Sequence, residues 1–321
     1  MNISTTTNKS RLFALTASLT LATTGTMATS AQAATYNLDF NSGADGGSIL
    51  YNEDGTLDTT QWESWGLLDI TGTNRHKVRK GIDNGQAKFN IYDTNGFTGR
   101  RNAGRDIDLT TGVFTGKSKT RRGITKTVKS NDQIFDTGVE NQGGALIIQE
   151  ESNKGSFKNG FYTADDEAKG GDVFFNFKEA VDFRSFSLLD IDDNGGGITF
   201  EGTRADGSIL NIDIDEMMAQ HHATNGTTEG DATRGTSVTM NGVTMTQVGY
   251  MQGDNSMFRF DLDDAHLTNV QLSYPGSGAI SGLEWGVESR DIPEPSAIGG
   301  LLMLGFVGKR LKGKRDEAAN A

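Results

Sequence analysis

The chain has 321 residues, a net charge of −12, 42 glycines and no cysteine. Lack of cysteine excludes disulfides, thiol catalysis and cysteine-ligated metals, and the acidic balance disfavours nucleic acid and anionic membrane surfaces as partners. The length allows one large domain or two small ones.

At the N-terminus, Lys9 and Arg11 precede an apolar and small-residue stretch from Leu12 to Ala22, and Ala31-Gln32-Ala33 forms a small-x-small site. This is the order of a secretory leader, so residues 1–33 are read as a signal peptide taken by the Sec machinery and cleaved after Ala33. The body that follows, residues 34–291, alternates apolar and polar positions at a period of two. Tyr36, Leu38 and Phe40 form such a set, as do Ala87, Phe89 and Ile91; Val173, Phe175 and Phe177; Leu210, Ile212 and Ile214; Phe258, Phe260 and Leu262; Val270, Leu272 and Tyr274. Each set predicts a half-buried strand. Residues 145–148 and 186–191 read as more fully buried strands. Asp206-Gly207 and Asn241-Gly242 predict tight hairpins. Only 58–65 and 215–222 hint at helix, and both are short. Many closely spaced strands without long helices predict an all-β fold, an antiparallel β-sandwich or jelly-roll-like ectodomain.

Two polar insertions interrupt the pattern. Residues 98–130 carry nine Lys or Arg against Asp106 and Asp108, which is +7. They fit either a patch for an acidic polysaccharide or a solvated loop facing the protein's own acidic surface. Residues 219–236 are rich in Gly and Thr and read as a surface loop. Acids gather at 165–167, at 190–193, at 213–216 and at 261–264. Asp190, Asp192, Asp193 and Asn194, followed by Gly195, are the candidate calcium ligands, because calcium takes six to eight hard oxygens. The run matches part of an EF-hand loop; counted from Asp192, the twelfth position is Thr203 and not Glu. Solvated strand-end acids are the competing reading, and no other cofactor is implied. Carboxylate pairs also serve glycosidases, but no cleft signature, nucleophile elbow, phosphate loop or His-Glu-x-x-His motif accompanies them. His221 and His222 read as loop residues pointing apart. Trp62, Trp65 and Trp285 are candidates for stacking on sugar rings if exposed; Trp65 and Trp285 fall in strand-like segments, which favours burial.

The C-terminus is the most specific segment. Pro293-Glu294-Pro295 uses two of the chain's three prolines to hold the backbone extended. An apolar run from Ala297 to Val307 follows, then Lys309, Arg310, Lys312, Lys314 and Arg315. A helix over 297–308 spans only about 16–18 Å of a ~30 Å hydrocarbon core, so it suits temporary retention better than a permanent anchor, and the basic cluster is expected on the cytoplasmic side. Residues 316–321 read as a disordered tail. Without the leader's two cations and the tail's net two, the body carries −16.

Motif, apolar run and basic cluster together resemble the PEP-CTERM sorting signal of exported bacterial proteins. The body resembles a recurrent ectodomain of such proteins in Trp62-Glu63-Ser64-Trp65-Gly66, Gly144-Ala145-Leu146-Ile147-Ile148, residues 164–177, Ser187-Leu188-Leu189-Asp190-Ile191-Asp192 and Ser277-Gly278-Ala279-Ile280. That resemblance implies processing by an exosortase at Pro293-Glu294-Pro295 and transient insertion in the inner membrane. It further implies a final place at the cell surface or in the extracellular matrix, associated with biofilm or exopolysaccharide. The expected function is therefore non-catalytic. A carbohydrate-binding module, calcium-stabilised or not, is the second reading, and a secreted hydrolase the third.

Overall fold

The computed structural model describes residues 34–94, 109, 111, 113–121, 124–129, 133–136, 142–151, 157–158, 161–162, 164–191, 197–226, 234–251 and 255–287. The expected leader with Ala31 and Ala33, and the expected sorting tail with Pro293, Glu294, Pro295 and the cluster Lys309, Arg310, Lys312, Lys314 and Arg315, lie outside the described residues.

The described chain is mostly strand, and its named strand pairings are antiparallel. In chain order the strands are β1 (Ala34–Leu38), β2 (Leu67–Asn74), β3 (Phe89–Asp93), β4 (Val113–Arg121), β5 (Ile124–Lys129), β6 (Gln133–Asp136), β7 (Gly144–Ile148) and β8 (Phe157–Lys158). There follow β9 (Phe161–Tyr162), β10 (Gly171–Leu189), β11 (Thr199–Arg204), β12 (Ile209–Asp213), β13 (Ser237–Met240), β14 (Val243–Met251), β15 (Asn255–Tyr274) and β16 (Ala279–Val287). Helix α1 (Arg75–Lys80) follows β2, and α2 (Ile214–Asn225) follows β12.

β10 and β15 are the spine. They pair with each other from Gly171↔Tyr274 to Leu189↔Met257, and each changes its outer partner midway. β10 takes β2 along 171–177 and β16 along 182–189. β15 takes β14 along 255–262 and β11 along 267–273. The sequence predicts separate strands at 173–177 and 186–191, and again at 258–262 and 270–274; the structure joins each pair. Lys178 and Glu179 are exposed and polar, as a turn would be. The chain instead stays extended there and lets the pairing slip between Asn176 and Val181, a bulge in place of a turn.

One large core lies along this spine. Phe186 stacks on its cross-strand partner Phe260 with centroids 4.6 Å apart, and on Phe200 at 4.9 Å. Phe200 belongs to β11, which flanks the opposite half of β15, so the ladder ties the two halves of the sheet together. Each such pair adds about 0.5–1.5 kcal/mol beyond its buried area. A second cluster places Tyr92, Ala145, Ile147, Leu189 and Met257 together with Leu109 and Ala164. With apolar neighbours on both faces, β7 is buried along its whole length, which is why residues 145–148 read as apolar without alternation.

Both predicted hairpins are present. Asn241 (φ 51°) and Gly242 (φ 79°) close β13 onto β14 with the two positive φ values of a type I′ turn, and Asp206-Gly207 lies in the turn joining β11 to β12. The insertion read over 98–130 contains β4 and β5, which with β6 form a separate three-stranded sheet. The loop read over 219–236 begins inside α2. Ile214, Met217, Met218 and His221 bury one stripe of that helix at spacings of three and four. Asp213 caps it by accepting from the Glu216 N–H at 3.0 Å. Of the segment 58–65 read as helical, only Glu63–Trp65 is, as one 3₁₀ turn.

Candidate functional site

A cleft of about 770 Å³ lies between the turn at residues 52–59, the outer edge of β2, and α1 with the 3₁₀ turn Asp83–Gly85 behind it. Local chemistry shapes each wall. In the turn, Asp54 Oδ1 accepts from Thr56 N at 3.0 Å and from Thr56 Oγ1 at 2.6 Å, an Asx turn that fixes the loop. On the far wall, Asn74 caps α1 by accepting from Lys77 N at 3.0 Å, and Gly81 (φ 66°) ends the helix in the left-handed conformation. Leu57, Ile70, Ala87 and Phe89 form an apolar base, each no more than 8% exposed.

Two lysines hold the walls together. Lys77 is only 4% exposed. Its ammonium donates to Gln86 O at 3.0 Å and pairs with Asp83 at 3.4 Å and with Glu151. Lys88 pairs with Asp54 at 2.7 Å and lies 3.7 Å from the same Glu151. Burying an ammonium costs several kcal/mol unless it is fully paired, and Lys77 has three acceptors for its three N–H groups. Burial pushes the Asp54 carboxyl up, but its hydrogen bonds to Lys88 and Thr56 outweigh that and hold it below the usual carboxylate range.

None of these residues was singled out from sequence. Lys77 sits in the run Arg75-His76-Lys77-Val78-Arg79-Lys80, where one buried cation cannot be told from its exposed neighbours. The turn-forming run Asp54-Gly55-Thr56 is the one local signal that could have marked this wall.

The residues that were singled out are dispersed. Asp190 is 2% exposed at φ 58°, with Oδ2 3.4 Å from Ser277 Oγ; Asp192, Asp193 and Asn194 lie outside the described residues. Counted from Asp190 instead of Asp192, the EF-hand pattern is complete in sequence: Asp190, Asp192, Asn194, Gly195 and, twelfth, Glu201. Glu201 stands on β11 opposite Asn211 and Gln271. Among the described residues no group of three or more His, Asp or Glu side chains could hold a metal ion.

Many of the other acids anchor backbone. Asp166 accepts from Gly278 N at 3.1 Å, Asp215 from Ile198 N at 3.1 Å and also from Gly197 N, and Glu167 from Lys169 N at 3.1 Å, as well as from the Asn74 side-chain amide. Burial, with Asp166 and Asp172 nearby, pushes the Tyr274 phenol far up, so it stays protonated. Trp62 and Trp285 are fully buried, and half-buried Trp65 stacks on Tyr36 at 5.5 Å. All three indole N–H groups donate to backbone carbonyls, so these rings do not form an exposed sugar platform. His221 and His222 lie on α2, with His221 fully buried.

No family model matches the chain, and neither a curated protein nor a solved structure matches it.

Proposed function

We propose that the chain is an exported, non-catalytic protein of the bacterial cell surface or extracellular matrix, sorted through its C-terminal Pro293-Glu294-Pro295 signal and held only transiently in the inner membrane. The observation that carries this reading is the tail itself: an extended Pro-Glu-Pro, a short apolar run and five cations, in that order. The layout of the body supports it. β1 starts at Ala34, directly after the small-x-small site, and pairs with β16 in the register Ala34↔Val287, so the first and last described residues of the body lie side by side.

In this reading the body is a sandwich in which the two halves of the sheet close on each other. The Phe186–Phe200 stack between strands that are not neighbours supports that arrangement. Among the described residues no helix is long and apolar enough to cross a membrane; in this reading the apolar run at 297–308 is the segment for retention. Exosortase and the Sec machinery are the processing partners. Replacing Pro293-Glu294-Pro295 by three alanines is expected to trap the full-length chain in the membrane fraction, followed by immunoblot of fractionated cells; normal processing of that variant overturns the reading.

Calcium enters through the complete Asp190–Glu201 pattern. With a resident ion in the β10–β11 connection, chelation lowers the melting midpoint and added calcium restores it, since a ligand bound only to the native state stabilises it. An unchanged midpoint in calorimetry removes the ion from the proposal.

A further inference from the structure

We infer that the cleft beside Lys77 binds an uncharged, hydroxyl-rich ligand, a stretch of neutral polysaccharide, which deepens the matrix-associated reading above and rests on it. The cleft's volume of about 770 Å³ falls within the range of small-ligand sites, roughly 300–1,000 Å³. Its chemistry selects the ligand class.

Lys77 is buried, and Lys88, although its side chain is 37% exposed, is held in ion pairs. Lys77 spends its donors on Gln86 O, Asp83 and Glu151, and Lys88 is paired with Asp54 and set near Glu151. The carboxylates they hold keep lone pairs for a ligand: the Asp83 side chain is 67% exposed and that of Asp54 36%. Glu53 adds a third carboxylate to the lining, and Asn84 and Thr59 add an amide and a hydroxyl. The cleft is thus acceptor-rich, and it suits a ligand that brings many O–H donors. A phosphate or uronate would meet carboxylates with no uncommitted lysine to offset them.

The apolar base of Leu57, Ile70, Ala87 and Phe89 matches the C–H faces of sugar rings, which alternate with their hydroxyls. The buried Lys77 fixes its acceptors in place before any ligand arrives, and preorganisation of this kind lowers the entropy lost on binding.

The test uses the full-length chain titrated by ligand-observed NMR and calorimetry with neutral cello-, malto-, manno- and galacto-hexaoses, with hexagalacturonate as the anionic counterpart. Saturable binding of at least one neutral hexaose, with none of hexagalacturonate, is expected. Thr59→Trp adds a large ring to the cleft lining and keeps both lysines, and is expected to weaken that binding by about tenfold or more at an unchanged melting midpoint. No binding by any neutral hexaose, equal binding to Thr59→Trp, or preference for hexagalacturonate overturns the inference. Failure here leaves the sorting experiment on Pro293-Glu294-Pro295 standing, and failure of that experiment leaves the sugar titration readable, so the two are separable.

Discussion

His221 shows what burial does to a single titratable group. It sits on the apolar stripe of α2, edge-on to Phe258 with centroids 6.1 Å apart, and its Nε2 is 2.7 Å from Thr236 Oγ1. Among the described residues its Nδ1 has no hydrogen-bond partner. Burial holds its pKa below the ordinary histidine value, and the neighbouring His222, lowered by burial too, pushes the same way. Well above about pH 6.5 the imidazole is neutral in folded and unfolded chains alike, and it contributes no pH dependence. As pH falls below that value the unfolded chain takes up a proton that the folded chain refuses, so stability drops, by at most ~1.4 kcal/mol per pH unit for each such proton. His221→Phe is expected to lose about 1 kcal/mol at pH 7 through the missing Thr236 bond. The same variant flattens the decline between pH 6.5 and 5, read by urea unfolding at several pH values. A slope equal to that of the parent chain contradicts the assignment.

At the scale of elements, the turns separate into two kinds. The Asn241-Gly242 hairpin is exposed and is set by local sequence alone; a Cβ on Gly242 would meet nothing within 4 Å. Gly242→Ala therefore costs only the left-handed strain, about 1–2 kcal/mol. Gly170 also has positive φ, at 60°, but a Cβ there would run into the carbonyl oxygens of Tyr274 and Gly276. Its N–H and C=O are engaged as well, with Glu167 O and Arg75 N. Gly170→Ala is expected to cost well over ~3 kcal/mol, strain and collision together, and to show as a lowered melting midpoint or an insoluble product. The sequence distinguishes these glycines poorly. Asn-Gly announces its turn in the two residues themselves, whereas the demand on Gly170 comes from a segment more than a hundred residues away. α2 teaches the same lesson in reverse: its stripe at 214, 217, 218 and 221 is legible once its full length is known, but the polar residues after 219 resemble a loop.

For the whole molecule, what could be read from sequence is what depends on near neighbours. Alternating apolar positions located most of the core strands, because one buried face imposes a period of two wherever the strand lies. Pairing was not legible. Nothing local reveals that β10 and β15 run on through polar residues, or that β1 docks on the last strand described. The cleft was hidden for the same reason, since Asp54, Lys77, Lys88 and Glu151 span nearly a hundred residues and meet only after β2, β3 and the segment following β7 are in place. The pairing of β1 with β16 also has a mechanical side. Because Ala34 faces Val287, a pull applied between the two ends of this body loads the ladder one residue pair at a time from its open end. Such a ladder peels, starting at an exposed alanine and threonine, and the third pair brings the load onto Tyr36, which packs against Trp65 and Trp285.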